Sequence, residues 1–330
     1  MARSSSKRAF GPNPLMTAAL WALAVAALGF TLARLLGLER GFIPVVLIAY
    51  TPYAVGLAVV IVVICAWRQR WWAALVAGVA TTGLAVAVVP RAVVDRPPRL
   101  AAGAPTLTVA SANMKLGQGR PAGLVKLVRE RSVDVLAVEE LTPGLQRALD
   151  SAGMHSLLPS RILMPARAAL GSGLYSRLPL SALEPVSAQI AGRQTPMAAV
   201  TVQPGVAVTV AVAHPTPPAG PSQMSQWQVG LGALPGASDR GPLRVIAGDF
   251  NATLDHADLR SLLATGYADA ADATGTGLVP TWPAGLLPPP VTIDHVLVDR
   301  RAAVDGFEVD GIEGSDHKAV VARLRLPARK

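Results

Sequence analysis

Cysteine is nearly absent from this 330-residue chain: Cys65 stands alone inside an apolar run, which excludes an intrachain disulfide framework. A single cysteine among aliphatic side chains reads as a helix-packing or lipid-facing residue, not as a reactive thiol. Acids are nearly absent from the first 104 positions, where Glu39 and Asp95 stand against ten Lys or Arg, a net +8. The other 226 residues carry twenty Lys or Arg against nineteen acids, a net +1, and the two parts sum to the overall +9. The sequence pI near 10.4 therefore belongs to the flanks of apolar segments. It is not a nucleic-acid footprint, which needs the basic excess on the part that binds. No internal repeat, sustained heptad or Ser-His-Asp constellation is evident.

What the first third has instead is aliphatic length. Residues 11–33, 41–67 and 71–90 contain no Asp, Glu, Lys or Arg. Each approaches or exceeds the ~20 residues that cross a hydrocarbon core. Three transmembrane helices are expected, making residues 1–94 a multi-pass anchor in the cell membrane, with the lipid bilayer as its partner. Arg3, Lys7 and Arg8 ahead of the first run also suit a cleavable signal, but two more apolar spans follow it. Basic residues divide five against five between the two sides: Arg3, Lys7, Arg8, Arg68 and Arg70 against Arg34, Arg40, Arg91, Arg96 and Arg99. The first helix usually dominates orientation, and three cations before it against two after it favour a cytoplasmic N-terminus. Three spans then put the rest of the chain outside the cytoplasm. Trp67, Trp71 and Trp72 bracket the second loop and suit an interfacial belt. Residues 95–105, rich in Pro, Ala and Gly, read as a linker.

From residue 106 to 330 short apolar runs alternate with amphipathic ones, which implies an α/β sandwich. Strands are expected near 107–110, 133–138, 197–202, 206–213, 243–247, 291–298 and 319–326, and helices over 121–131 and 222–234. Polar residues recur where these strands end: Asn113, Glu140, His214, Asp249, Asn251, Asp294, Asp316 and His317. A sheet that gathers its strand ends builds a site from remote sequence. In Val245–Asn251, VIAGDFN, an extended backbone puts Asp249 and Asn251 on one side and Phe250 on the other. Taken alone, an Asp-x-Asn at a strand end is an ordinary Asx-type turn. His155 and His256 fall outside these segments and are expected on the surface.

Eight segments in order resemble the endonuclease/exonuclease/phosphatase superfamily, the group of deoxyribonuclease I, AP endonucleases, bacterial sphingomyelinases and inositol polyphosphate phosphatases. They are SANM at 111–114, DVLAVEEL at 134–141, GSGLYSRLPL at 171–180, the strand ending in His214, GDFNA at 248–252, TW at 281–282, IDHVLV at 293–298 and GSDHKAVVA at 314–322. The resemblance implies a DNase I-like four-layer α/β/β/α sandwich and a phosphoesterase dependent on Mg²⁺ or Mn²⁺. It implies that Glu140 ligates the metal, with Asn113 close by and Asp316 as a further carboxylate, while Glu139 falls where the family usually has Gln. It implies that His214 contacts the scissile phosphate, Asp249 orients or deprotonates the attacking water, and Asn251 hydrogen-bonds phosphoryl oxygens. His317, partnered by Asp294, completes the catalytic set. Lys115 and His295 depart from the pattern and weaken a role in abasic-site repair.

The expected activity is hydrolysis of a phosphodiester by in-line attack of an activated water. The substrate stays open among nucleic acid, phospholipid and small phosphodiesters: the near-neutral domain lacks a nuclease's basic excess, although Arg161, Arg167, Arg177 and Arg193 can supply a local groove. A non-enzymatic membrane sensor that retains the fold is the alternative of another class; its mark would be loss of a catalytic residue. No protein partner is inferable.

Overall fold

The computed structural model describes residues 13–185, 192–238 and 240–327. Its contacts divide the chain into two units, Met1–Leu38 with Tyr50–Val88, and Glu39–Ala49 with Val89–Lys330. Four helices come first: α1 (Pro14–Leu36), α2 (Phe42–Ile48), α3 (Thr51–Trp67) and α4 (Trp71–Val88). Asn13 caps α1 by accepting the Leu15 amide at 3.1 Å, and Gly37 closes it in the left-handed region at φ 65°, where a Cβ would be strained.

Within the first unit the helices meet over small side chains, with Ala24, Cys65, Ala73 and Ala77 buried beside Leu20 and Ile61. Small residues let apolar helices approach closely where lipid offers no hydrophobic drive. Thr31 Oγ1 adds donation to Ala27 O at 2.8 Å and to Ala80 O at 3.3 Å. Two helices, Pro14–Leu36 and Trp71–Ala92, are long and apolar enough to cross a membrane; α2 and α3 form a third candidate only as a pair bent by 78°. The continuous helix expected over 41–67 is thus two helices. Pro52 in the first turn of α3 explains the break, because inside a longer helix it could not donate to the Ile48 carbonyl and its ring would clash there.

The second unit contains two six-stranded sheets. The first runs β11 (Ala303–Gly311), β12 (Lys318–Arg325), β1 (Thr106–Asn113), β2 (Val135–Glu139), β4 (Ser172–Ser176) and β3 (Ser160–Met164). The second runs β5 (Leu180–Leu183), β6 (Met197–Gln203), β7 (Val206–Ala213), β8 (Leu243–Asp249), β10 (Asp294–Asp299) and β9 (Tyr267–Asp269). Every second residue of the central strands faces the opposing sheet. Leu107, Val109, Val135 and Ala137 thereby pack in one core with Val208, Val210, Val212, Val245, Ala247, Val296 and Val298. Each buried Val or Leu contributes roughly 1.5–3 kcal/mol.

The alternate residues point outward and bury helices. Leu136, Val138 and Tyr175 pack with Leu124, Val128, Leu145 and Met154 from α5 (Pro121–Glu130), α6 (Pro143–Ser151) and α7 (Met154–Leu157). On the other face Ala211, Ile246 and Leu297 pack with Trp227 of α8 (Met224–Gly232), Leu259 of α9 (Ala257–Ala264) and Val45 of α2. A short helix, α10 (Ala270–Ala273), precedes β10. These are the four layers expected from the resemblance. His256, expected on the surface, is buried: its Nε2 lies 3.0 Å from Val45 O and its ring meets Trp227 edge-on at 5.2 Å.

Candidate active site

The alternation that builds the inter-sheet core also builds the polar cluster at one end of it. Continuing the inward series of β1, β2, β7, β8 and β10 by two residues gives Ser111 and Asn113, Glu139, His214, Asp249 and Asp294. β1 runs parallel to β2 and β7 parallel to β8, so these ends fall together. β10 starts there in antiparallel register, with Asp294 opposite Asp249. Gly248 allows the tight fit between β7 and β8, since a Cβ would sit 1.9 Å from Ala213 O.

Asp249 is the hub. Its Oδ1 accepts the Asn251 amide at 2.8 Å, and its Oδ2 accepts Asn113 Nδ2 at 3.1 Å and Asn251 Nδ2 at 3.3 Å. His317 Nε2 lies 3.8 Å from Asp249 Oδ2, while its Nδ1 lies 3.1 Å from both oxygens of Asp294. Glu140 escapes the strand alternation because its backbone turns left-handed at φ 58°, a costly conformation for a non-glycine residue. Its Oε1 lies 3.4 Å from Asn113 Nδ2 and 3.6 Å from His214 Nε2, and its Oε2 accepts the Leu116 amide. Glu139, the inward residue, is fully buried with Ser111 Oγ 3.0 Å from both its oxygens.

Burial and charge set the protonation pattern. Burial pushes Glu139 well above the usual carboxylate range, reinforced by Asp294, which disfavours its charged form. Burial also raises Asp249, to about 6, against the lowering pull of His317. Burial pulls His317 down, but the Asp294 and Asp249 carboxylates outweigh it and raise the imidazole to about 10. His214 goes the other way: burial, the Arg193 cation and His317 hold it well below its ordinary value, neutral.

The structure thus brings together Asn113, Glu140, His214, Asp249, Asn251, Asp294 and His317. Asp316 is half-buried beside His317. Among the described residues, the acids and histidine whose ligand atoms converge within 4.8 Å are Asp249, Asp294 and His317, a set without Glu140 or Asp316. Arg193 is the residue that sequence reasoning left in a general basic cluster. Its Nη1 lies 2.9 Å from both ring nitrogens of His214 and donates to Ala169 O at 2.9 Å. A lone arginine just ahead of a strand was the only signal. His295, off the usual pattern, belongs to the core: its Nδ1 lies 2.8 Å from Asp269 Oδ2 and its Nε2 2.9 Å from Ala252 O.

Comparison with known proteins agrees with this geometry. No curated protein matches the chain in sequence. The endonuclease/exonuclease/phosphatase from Beutenbergia cavernae is 18% identical, with a TM-score of 0.54 over 68% of this chain and 72% of that one. Humanized D. rerio TDP2 is 17% identical, with a TM-score of 0.53 over 67% of this chain and 99% of that one. D. rerio TDP2 complexed with a single-strand DNA product is 18% identical, with a TM-score of 0.51 over the same shares, 67% and 99%. At these identities the likeness is one of fold. The sequence pattern of the Endonuclease/Exonuclease/phosphatase family, generally metal-dependent phosphoesterases, matches residues 110–317, and the chain belongs to that family.

Proposed function

We propose that this chain is a membrane-anchored phosphoesterase that hydrolyses a phosphodiester by in-line attack of water. Residues 1–94 form its multi-pass anchor, residues 95–105 the linker and residues 106–330 its extracytoplasmic catalytic domain, to which residues 39–49 and 89–94 are added by packing. The observation that carries this reading is the gathering of seven polar side chains at one end of the inter-sheet core.

The donor set fits a hard divalent cation, Mg²⁺ or Mn²⁺. Glu140 forms no ion pair with Lys or Arg among the described residues, so its charge is available to a cation. Asn113 lies beside it, and Asp316 is the further carboxylate of the rim. Asp249, Asp294 and His317 fit a cation less well, since a protonated imidazole has no lone pair to give. When bound, the metal would neutralise charge on the phosphoryl oxygens.

The chain's own groups supply the rest. Asp249, raised to about 6 by burial, holds the attacking water and accepts its proton near neutral pH. Asn251 and the His317 imidazolium donate to oxygens whose charge grows in the transition state, and Asp294 keeps that imidazole oriented and charged. His214, neutral, is left to donate from one ring nitrogen, with Arg193 behind it as a fixed cation. Nucleic acid is a second substrate reading, motivated by the DNA product in the D. rerio TDP2 structure.

The test uses the full chain in nanodiscs with bis(p-nitrophenyl) phosphate. Turnover should require Mg²⁺ or Mn²⁺, vanish in EDTA, and fall by about 10²-fold or more in Glu140→Gln and His317→Ala. Turnover that survives both EDTA and His317→Ala would sink the mechanism.

A further inference from the structure

The exposed large hydrophobic residues on the loops around the polar cluster are aliphatic, beside the half-buried Trp282. Among the described residues from 106 onward, every exposed large hydrophobic residue is Leu or Val. Four of them stand on three loops tied directly to the site. Leu116, 47% exposed, donates its amide to Glu140. Leu170, 39% exposed, accepts the Gln194 amide at 2.9 Å, one residue from Arg193. Leu286 and Leu287, both 84% exposed, cap the loop between Trp282 and Val291. Trp282 lies 6.2 Å from the His317 ring, and Ala284 N donates to Asp316 O at 2.6 Å.

These leucines are held outward by rigid backbone. Lys115 and Leu116 take consecutive left-handed conformations, φ 45° and 54°, and Asn113 Oδ1 fixes them by accepting the Lys115 amide at 2.9 Å. Prolines 283, 288, 289 and 290 stiffen the Leu286–Leu287 loop. Exposed apolar groups concentrated around one site mark an interaction surface. A single-stranded nucleic acid would be met by aromatic stacking platforms along a cationic track. Aliphatic tips flanked by single cations, here Lys115 and the exposed Arg167, suit a bilayer interface with anionic headgroups. Helices apolar enough to cross a membrane on the same chain keep that phase at high local concentration.

We propose that the leucine rim enters the surface of a bilayer and that the substrate is a lipid-borne phosphoester. This rests on the phosphoesterase reading above. The water oxygen bonds to phosphorus as the P–O bond to the lipid or headgroup alcohol breaks. The proton taken from water is balanced by one delivered to the departing oxygen, with no change in oxidation state.

The experiment compares full-length protein and the Leu286→Asp/Leu287→Asp variant in phosphatidylcholine nanodiscs. These contain phosphatidylglycerol or sphingomyelin, and bis(p-nitrophenyl) phosphate and a single-stranded oligonucleotide are assayed in parallel. Cleavage of either phosphatidylglycerol or sphingomyelin, read as a phosphate-containing headgroup released or a phosphorylated lipid left behind, should fall on the order of tenfold or more in the variant, with the soluble diester changed by less than about twofold. The proposal is overturned if neither lipid is cleaved while the soluble diester is, if the variant cleaves lipid at the parent rate, or if the oligonucleotide is cleaved faster than either lipid. Failure of the underlying reading looks different, as soluble-diester turnover that is absent or indifferent to EDTA and His317→Ala.

Discussion

The imidazole of His317 lies between two carboxylates, and its charge depends on both. Asp294→Asn keeps the shape of the partner and removes its charge, so burial acts on His317 with less opposition and its pKa drops from about 10. We expect kcat to fall roughly 10²–10⁴-fold with KM little changed, and the basic limb of the pH–rate profile to move to lower pH. A basic limb that stays where it was would show that the charge of His317 is not what the rate depends on. The linked stability has a definite sign. A histidine raised from 6.5 to about 10 contributes stability that is complete below 6.5 and is lost as pH rises through about 10. Arg193 sets the opposite state on His214, after burial itself. Arg193→Met should let the His214 pKa rise in an NMR titration and cost about 10²-fold in kcat, as loss of one preorganised charge does. An unmoved His214 titration would separate the two residues.

The element that ties the early chain to the catalytic unit is the stretch on either side of α3 and α4. Arg91, just past α4, donates to both oxygens of the fully buried Asp255, at 2.8 and 2.6 Å. Asp255 lies four residues beyond Asn251. Glu39 Oε1 accepts the Ala257 amide at the start of α9, and Val45 seals the same face. Arg91→Met takes a bidentate guanidinium from a buried carboxylate, which should cost up to about 3–5 kcal/mol, or up to roughly 6–20 °C in Tm for a unit of this size. Arg91→Met/Asp255→Leu should recover most of it, and a Tm unchanged in the single variant would show the pair to be idle. Nothing in the sequence announced this pair, because a charge flanking an apolar helix looks like a topology signal. The strand ends were legible because an acid or amide closing an apolar run is conspicuous. The central strands β1, β2, β6, β7, β8, β10 and β12 were legible for the same reason, being continuous in Val, Ala and Leu. The unforeseen strands are β4 and the four sheet edges, β3, β5, β9 and β11. Edge strands are kept short or charged, which blunts them against pairing with other chains and also erases their periodicity. The acids of β11, exposed Asp305 and half-exposed Glu308 and Asp310, show this directly.

At the scale of the whole molecule, the packing inside the catalytic unit bears on the topology proposed above, for which the loop charges divide five against five. Residues 39–49 belong to the same unit as residues 89–330, through the His256–Val45 and Ala257–Glu39 contacts. If the chain spans a membrane as proposed, they lie on the same side of it as the site. If α1 crosses once, α3 and α4 must then cross as a hairpin and return to that side, making three spans with the site opposite the N-terminus. α3 has seventeen residues, at the lower limit of about 17–25 for a span, and is a candidate only together with α2. Pairing with Asp255 withdraws Arg91 from the loop charges, which in the proposed topology sets Arg3, Lys7, Arg8, Arg68 and Arg70 on the cytoplasmic side against four cations on the other. An alkaline phosphatase fused after residue 330 should accordingly be active and a fluorescent protein at the same place dark. Gln69→Cys in a Cys65→Ala background should resist an impermeant thiol reagent until the cells are opened. Labelling of position 69 in intact cells, together with an inactive phosphatase fusion, would invert the orientation and place the phosphoester substrate in the cytoplasm.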